Sequence, residues 1–448
     1  MWLNIYNVLC IIINSFSIAP NLRILYVCHL RRIIVYLHDL SVVPSVCGAR
    51  LNFLKVKKFS ILLLFLALLL ATPLKAGEPR FSLLTCSPGE EAYSLFGHTA
   101  LRYCDDERKV DLVYNYGYFS FDSPNFVWRF ILGQTDYLVA SVPYRFFIQE
   151  YAERGSSVVE QVLELTPAQV ARLRQALGTN CLPANRVYRY NYFYRNCTTM
   201  ARDMFIGVLG EGRSIVYDNG LQPMTLRQAL ASFTAVHPWY SFGIDLLMGS
   251  DIDKAATREE LQFAPLNLMD DMAKANIVDG NGNVIPVVRD TYVLLEENKP
   301  ASVRNNLTPF NSSLLLLLFT FVIMLCELRS NRTFWGFDLL LMALQGLSGV
   351  LLLFLGLCSE HPAVDANYVI LLLNPLALVL LPIVLYRMIR NRSLTLMWVQ
   401  VAFLALFFLS GIIGLQHYPA PLYFCAVAIL VRSLFHIYKK RICELNIV

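Results

Sequence analysis

Cys197 stands in YNYFYRNCTTMARD, between an aromatic run with strand character and a stretch with helical spacing. A thiol attacks a carbonyl carbon only as thiolate, and a free cysteine, with a pKa of about 8.5, is mostly protonated at neutral pH unless a helix N-terminus or a histidine lowers it. After Cys197, the residues Ala201, Met204, Phe205 and Val208 recur at helical spacing, Thr198 and Thr199 offer capping hydroxyls, and Gly210 offers a stop. The thiol therefore belongs to the first turn of a helix, where free N–H groups can also hold an oxyanion. The best base is His98 in SLFGHTALRYC, where Gly97 precedes an alternating strand pattern; the chain has only seven histidines. Asn115, in the next strand-like run DLVYNYGYF, is placed to orient the imidazole from a neighbouring strand. Tyr192, Tyr194 and Asn196 beside the thiol, with Glu360 and His361 farther along, are candidate substrate contacts.

Competing roles stand beside these. Free cysteine is among the most buried residue types, and a histidine after glycine can simply cap a strand, so pattern alone leaves the pair balanced between catalysis and core packing. Cys86, Cys104 and Cys181 are rival thiols, and Cys86 with Cys104 is a candidate disulfide around the His98 strand. The eleven cysteines contain no C-x-x-C pair and there is no His-rich cluster, so no metal site and no cofactor is indicated. DGNGNVIPVVRD carries oxygen ligands at Asp279, Asn281, Asn283 and Asp290, but Val284 stands where a calcium loop needs glycine, and a hairpin turn is the better reading.

The elements that position these residues lie in a chain whose 56% hydrophobic content and mean hydropathy of +0.48 mark a membrane protein. KVKKFSILLLFLALLLATPLKAGEPR has the basic start, apolar core and small-residue exit of an export signal over residues 51–76, and Leu74 keeps an uncleaved N-terminal anchor open. Residues 1–50 precede that signal without helical or strand period and read as an overextended N-terminus. Residues 77–310 have ordinary polarity and make one exported globular domain. Within it, LTPAQVARLRQALG predicts a helix with Thr166 as N-cap, Pro167 at the first position, Gln169 closing a capping box, and a stop at Gly178. Residues 311–448 hold five apolar segments, near 313–328, 336–357, 368–386, 395–415 and 419–438, each about the length of a hydrocarbon core. Their connections alternate between basic (ELRSNRTFW, YRMIRNRS, YKKR) and free of Lys and Arg (CSEHPAVDANY, QHYPAP), which predicts the globular domain outside and the C-terminus in the cytoplasm. Asn374 before Pro375 and Gln345 before Gly346 are expected at helix contacts. The net charge of +5 forms no aromatic-interleaved basic stripe, so nucleic acid is not expected as a partner.

The order strand-His, strand-Asn, helix-Cys reverses that of papain-like enzymes and corresponds to the permuted form of lecithin:retinol acyltransferase-like enzymes. The fold class expected is thus α+β: an exported permuted papain-like (NlpC/LRAT-like) domain followed by an all-α five-span transmembrane bundle. SLFGHTALR, VYNYG, YNYFYRNCTTMARD, DLLMGSDIDKAATREELQFAPLNL and SEHPAVDANYVILLLNPL together make the chain resemble the Lnb-type lipoprotein N-acyltransferases, from about residue 80 to the end. The resemblance implies a bacterial inner-membrane enzyme with a periplasmic catalytic domain. It also implies a thioester mechanism on Cys197 and His98: an acyl chain passes from a membrane phospholipid to the α-amino group of a diacylglyceryl-cysteine lipoprotein. The same dyad on the same fold also serves a cysteine hydrolase or amidase acting on cell-wall peptide. The two differ at the cavity wall: a hydrolase opens its thioester to water, whereas a transferase of lipids faces the membrane with apolar and aromatic side chains. An inert membrane-anchored module would leave Cys197 and His98 apart.

Overall fold

A computed structural model describes residues 77–445, apart from positions 123, 211, 219, 221–222, 299–305, 331, 391 and 393. The overextended N-terminus and the export signal expected over residues 1–76 lie outside the described residues. Ala76–Val448 form one compact unit.

The chain runs β1 (Arg80–Cys86), β2 (His98–Asp105), β3 (Val110–Tyr118), α1 (Phe126–Ile131), β4 (Asp136–Pro143), α2 (Tyr144–Glu153), β5 (Val158–Leu163), α3 (Pro167–Asn180), β6 (Val187–Arg189) and α4 (Cys197–Gly207). It continues through β7 (Ser214–Val216), α5 (Leu226–Thr234), α6 (Pro238–Leu247), α7 (Arg258–Leu261), α8 (Pro265–Lys274), β8 (Asn276–Val278), β9 (Val284–Pro286) and β10 (Val288–Leu295). Seven strands make an antiparallel sheet in the order β10-β5-β1-β2-β3-β4-β6, and β7-β8-β9 make a small second one. Alternation along the strands sends Phe81, Leu83, Leu101, Tyr103, Tyr114 and Tyr116 to one face, against Leu173 and Leu177 of α3 and Ala201 and Phe205 of α4. Leu84, Cys86, Ala100 and Val113 go to the other face, against Phe147 and Tyr151 of α2. This domain is α+β, with both faces of its central strands covered.

Local expectations meet the structure unevenly. Thr166 caps α3 with the full capping box, but the helix runs through Gly178 to Asn180 because Leu177 is buried in the core and tertiary packing outweighs the glycine. The hydroxyls of Thr198 and Thr199 do not begin α4. Asn196 does: its side chain accepts from both their N–H groups, and Thr199 Oγ1 accepts in return from the Asn196 N–H. The Cys86–Cys104 disulfide is excluded by register. Cys86 pairs with His98 and Cys104 with Arg80 at the two ends of the β1–β2 ladder, and both thiols are free. Six residues of strand span about 20 Å, far beyond the roughly 7 Å between Cα atoms that a disulfide tolerates. Residues 279–283 form the turn between β8 and β9, with the Asp279 carboxylate accepting from the N–H groups of Asn281 and Asn283.

The C-terminal part holds α9 (Pro309–Ser330), α10 (Trp335–Cys358), α11 (Leu376–Ile389), α12 (Met397–Ile412) and α13 (Ala420–Leu445). Among the described residues four stretches are long and apolar enough to cross a membrane: Pro309–Ser330, Trp335–Cys358, Pro362–Ile389 and Ala420–Lys439; Met397–Ile412 is shorter. The third stretch is not one helix. It passes through 3-10 turns at Pro362–Val364 and Tyr368–Leu371 and becomes regular only after Pro375, whose ring cannot continue a helix from the preceding turn. Gln345 of α10 satisfies the irregular backbone by donating to Leu372 O, and Gln400 of α12 donates to Gln345 Oε1. A Cβ on Gly349 would lie 2.4 Å from Leu373 O, so a glycine is needed where α10 crosses this segment.

The segment 359–367 joins the two parts by satisfying helix ends. Ser359 Oγ donates to Ile131 O (2.9 Å), the Glu360 N–H to Leu132 O (2.9 Å) and His361 Nε2 to Phe130 O (2.8 Å), which takes up the last carbonyls of α1. Asn367 Nδ2 does the same for Leu246 O and Leu247 O at the end of α6. A Cβ on Gly249 would lie 1.7 Å from Asp365 O, so the backbones meet directly there.

Candidate active site

His98 opens β2 and Asn115 lies near the end of β3, at one end of the sheet. Continuing the register past Leu101–Tyr114 puts Ala100 opposite Asn115, so His98 is its diagonal neighbour on the same face. His98 Nε2 lies 2.5 Å from Asn115 Oδ1. Gly97 holds a φ of 84°, and a Cβ there would meet Cys86 O at 2.5 Å, so the turn into His98 requires glycine.

Cys197 begins α4, which packs across β2 and β3, and its thiol and the His98 ring are near enough to shift each other's pKa. Gly117, at a bulge in the β3–β4 ladder, keeps the space beside them open: a Cβ there would lie 3.6 Å from Cys197 Cβ and 3.9 Å from His98 Cε1. Burial pushes the Cys197 thiol up, but the charge and hydrogen bond of His98, the Thr99 N–H and the Thr198 hydroxyl outweigh it and bring the thiol down to about 7. For His98, burial lowers and the adjacent thiolate and the Asn115 hydrogen bond raise, and the result is a raised imidazole. The pair therefore favours thiolate with imidazolium. The rival thiols do the opposite: burial drives Cys86 far up, Cys104 to about 11 and Cys181 upward, so all three stay protonated at neutral pH. Within the first turn of α4, Thr198 N–H and Thr199 N–H are engaged by Asn196 and Met200 N–H by Asn196 O, which leaves the Cys197 N–H to meet an oxyanion.

Cys197 and His98 open onto a cavity of about 660 Å³. Tyr93, Phe119, Tyr137, Tyr190 and Tyr192 line it with aromatic rings, and α6 adds Ile244 and Leu247, followed by Met248. Its wall includes Leu351 and Leu355 of α10, a helix long and apolar enough to span a membrane. Ile131 and Phe130 of α1 complete the apolar side, and Trp128 on the same short helix stacks on Phe354 of α10 at 5.2 Å between centroids.

The sequence-predicted contacts are thus distributed. Tyr192 and Asn196 line the cavity, but Asn196 spends its side chain on the helix cap and on Tyr192 O and Phe263 O. Tyr194 is about half exposed and lies outside the lining. Glu360 pairs with Gln134 and Arg189 on the outside. His361 lines the cavity; burial lowers its pKa, and its neutral ring donates to Phe130 O. Sequence reasoning did not single out Gly117, Tyr151, whose ring stacks with His98 at 6.2 Å, or Glu150 and Arg154 beside it. Gly117 was visible within VYNYG; the α2 residues gave no signal. Among the described residues no group of three or more His, Cys, Asp or Glu is arranged to hold a metal ion.

Residues 72–231 match the family model described as Lnb N-terminal periplasmic domain, and residues 301–441 match that described as Lnb transmembrane domain. No curated protein and no solved structure matches the chain. The two models fall in order on one chain, on either side of the segment that carries α6 to β10. The chain belongs to the Lnb family, as a membrane protein with a periplasmic domain.

Proposed function

We propose that this protein is a lipoprotein N-acyltransferase that works through a Cys197 thioester. The observation that carries the reading is the apolar wall: Cys197 and His98 open into a cavity lined by aromatic rings and by Leu351 and Leu355 of a helix apolar enough to span a membrane. A site for soluble peptide has no use for such a wall, whereas an ester whose chains remain in the bilayer needs a continuous apolar path to the thiol.

In the first half-reaction the Cys197 thiolate attacks an ester carbonyl of a phospholipid, and an S–C bond forms. The oxyanion takes the Cys197 N–H. The C–O bond then breaks, and His98 passes its proton to the departing glycerol oxygen, releasing a lysophospholipid. In the second, the neutral α-amine of a diacylglyceryl-cysteine lipoprotein attacks the thioester. The N–C bond forms, the C–S bond breaks, His98 takes the amine proton, and the thiolate returns. Asn115 orients the imidazole throughout. The fold of the domain over residues 77–310 is read as the permuted papain-like arrangement. Residues 311–448 are read as five spans, the fourth being the shorter apolar helix Met397–Ile412, with the C-terminus in the cytoplasm on the strength of the basic connections.

The test is mass spectrometry of lipoprotein N-terminal peptides from cells lacking this protein and complemented with wild type, Cys197→Ala or His98→Ala. Wild type alone should restore the N-linked acyl chain. Triacylated lipoproteins in the uncomplemented cells, with no second enzyme of this activity, would sink the reading and leave the cell-wall hydrolase in its place.

A further inference from the structure

The cavity has a second, polar wall. Of its lining residues only Glu150 and Arg154 are Asp, Glu, Lys or Arg. Glu150 is on α2 and Arg154 immediately follows it, one helical turn on, and the two are ion-paired with both side chains partly exposed. The Arg154 guanidinium lies over the Tyr151 ring, 5.2 Å from its centroid, and that ring stacks in turn with His98. A permanent dipole of opposite charges is thus held one aromatic ring away from the imidazole. Ser156 lines the cavity beside it.

We propose that Glu150 and Arg154 form the headgroup site for the acyl donor and select a zwitterionic glycerophospholipid, its phosphate on Arg154 and its ammonium on Glu150. This rests on the reading of the cavity as a phospholipid acyl-transfer site. In a glycerophospholipid the phosphate is only a few bonds from either ester, so an ester at Cys197 brings a permanent anion close to the imidazole. Removed from water, that anion needs a partner, and Arg154 is the one Lys or Arg on the wall. A guanidinium has five donors in a planar fork; with one nitrogen on Glu150 it keeps others for phosphate oxygens, and its stacking on Tyr151 fixes the direction of the fork. Glu150 has a second carboxylate oxygen for an ammonium group. A donor whose only headgroup charge is its phosphate satisfies Arg154 but offers the Glu150 carboxylate no cation, and that missing partner is what sets the selection. The apolar wall from α10 receives the chains, so the two walls together set one orientation for the lipid: chains toward Leu351 and Leu355, headgroup toward α2.

The experiment measures acylation of Cys197 in the full chain, reconstituted in detergent, by intact-mass spectrometry. Three donors are compared: phosphatidylethanolamine, phosphatidylglycerol of the same chains, and a neutral nitrophenyl ester of a short acid. Arg154→Gln should slow both phospholipids by about tenfold or more relative to the nitrophenyl ester, the loss expected when a charge-assisted hydrogen bond is removed. Glu150→Gln should erase a preference of wild type for phosphatidylethanolamine over phosphatidylglycerol. Equal losses on all three donors would show that the pair only holds Tyr151 and His98 in place, and unchanged ratios would show a solvated ion pair; either overturns the proposal. Failure of the underlying reading looks different: wild type would be acylated by the nitrophenyl ester and by neither phospholipid.

Discussion

His98 Nε2 and Asn115 Oδ1 are 2.5 Å apart. A carboxamide oxygen can only accept, so His98 Nε2 carries a proton directed at Asn115. In the proposed reaction Asn115 acts through the imidazole, as a positioning residue. Asn115→Ala should lower acyl transfer by about a hundredfold, the cost of an ångström-scale misplacement, with little change in the midpoint of thermal unfolding. Wild-type rates from purified Asn115→Ala would remove it from the site.

The pH dependence follows from two opposed shifts. The Cys197 thiol is brought down to about 7 and the His98 imidazole is raised. Below about 7 the thiol holds its proton and cannot attack; above the raised imidazole value the ring has none to give the leaving alkoxide. The rate of Cys197 acylation should therefore follow a bell whose acid limb is centred near 7. Labelling by iodoacetamide follows the thiolate alone and should rise through the same midpoint. In His98→Ala burial remains without its counter-charge, and the labelling midpoint should move above the ordinary cysteine value of about 8.5. A wild-type midpoint already there would contradict the ion pair.

Leu351 and Leu355 test the apolar wall. Tryptophan at either position puts a larger ring into the cavity wall. Leu355→Trp should reduce acylation by long-chain donors by about tenfold or more, while a short-chain ester keeps its rate, since only the long chain needs that volume. Parallel losses on both donors would mean that the substitution disturbs the dyad instead.

A buried charge cluster holds the membrane helices together away from this cavity. Arg432 of α13 reaches Asp338 of α10 (Nε to Oδ1, 2.6 Å) and Glu327 of α9 (Nη1 to Oε2, 3.1 Å), and Lys439 and His436 complete it. Arg432→Leu leaves two buried carboxylates short of their main partner and should cost about 3–5 kcal/mol. Adding Glu327→Gln and Asp338→Asn removes the unpaired charge and should recover much of the loss. Thermal unfolding in detergent reads both; a single substitution without effect would show the cluster to be hydrated.

Some of this molecule was legible in residue order. The helix that begins at Cys197, the strand that begins at His98 and the capping box at Thr166 are decided by residues a few positions apart, and local chemistry of that range is read directly from sequence. The cap of α4 was readable too: Asn196 is a stronger N-cap than the threonines after it, and its place before the helix was the signal. The apolar segments were visible because a bilayer imposes length and composition on every span.

What residue order could not decide depends on which distant segments meet. The Cys86–Cys104 pairing turned on register, and register is set by the sheet as a whole, so two thiols that look adjacent end at opposite ends of a ladder. The broken third apolar stretch looks continuous in composition, yet its irregular backbone is tolerated only because Gln345 of another helix satisfies it. The cavity wall from α10 and the ion pair of α2 lie some two hundred residues apart in the chain yet line one cavity, and the 359–367 segment closes the ends of α1 and α6 beside it. Sequence determined that a thiol, a histidine and a set of apolar helices are present. Tertiary structure alone decided that they share one cavity, because side chains meet through packing and hydrogen bonds between elements that no local pattern encodes.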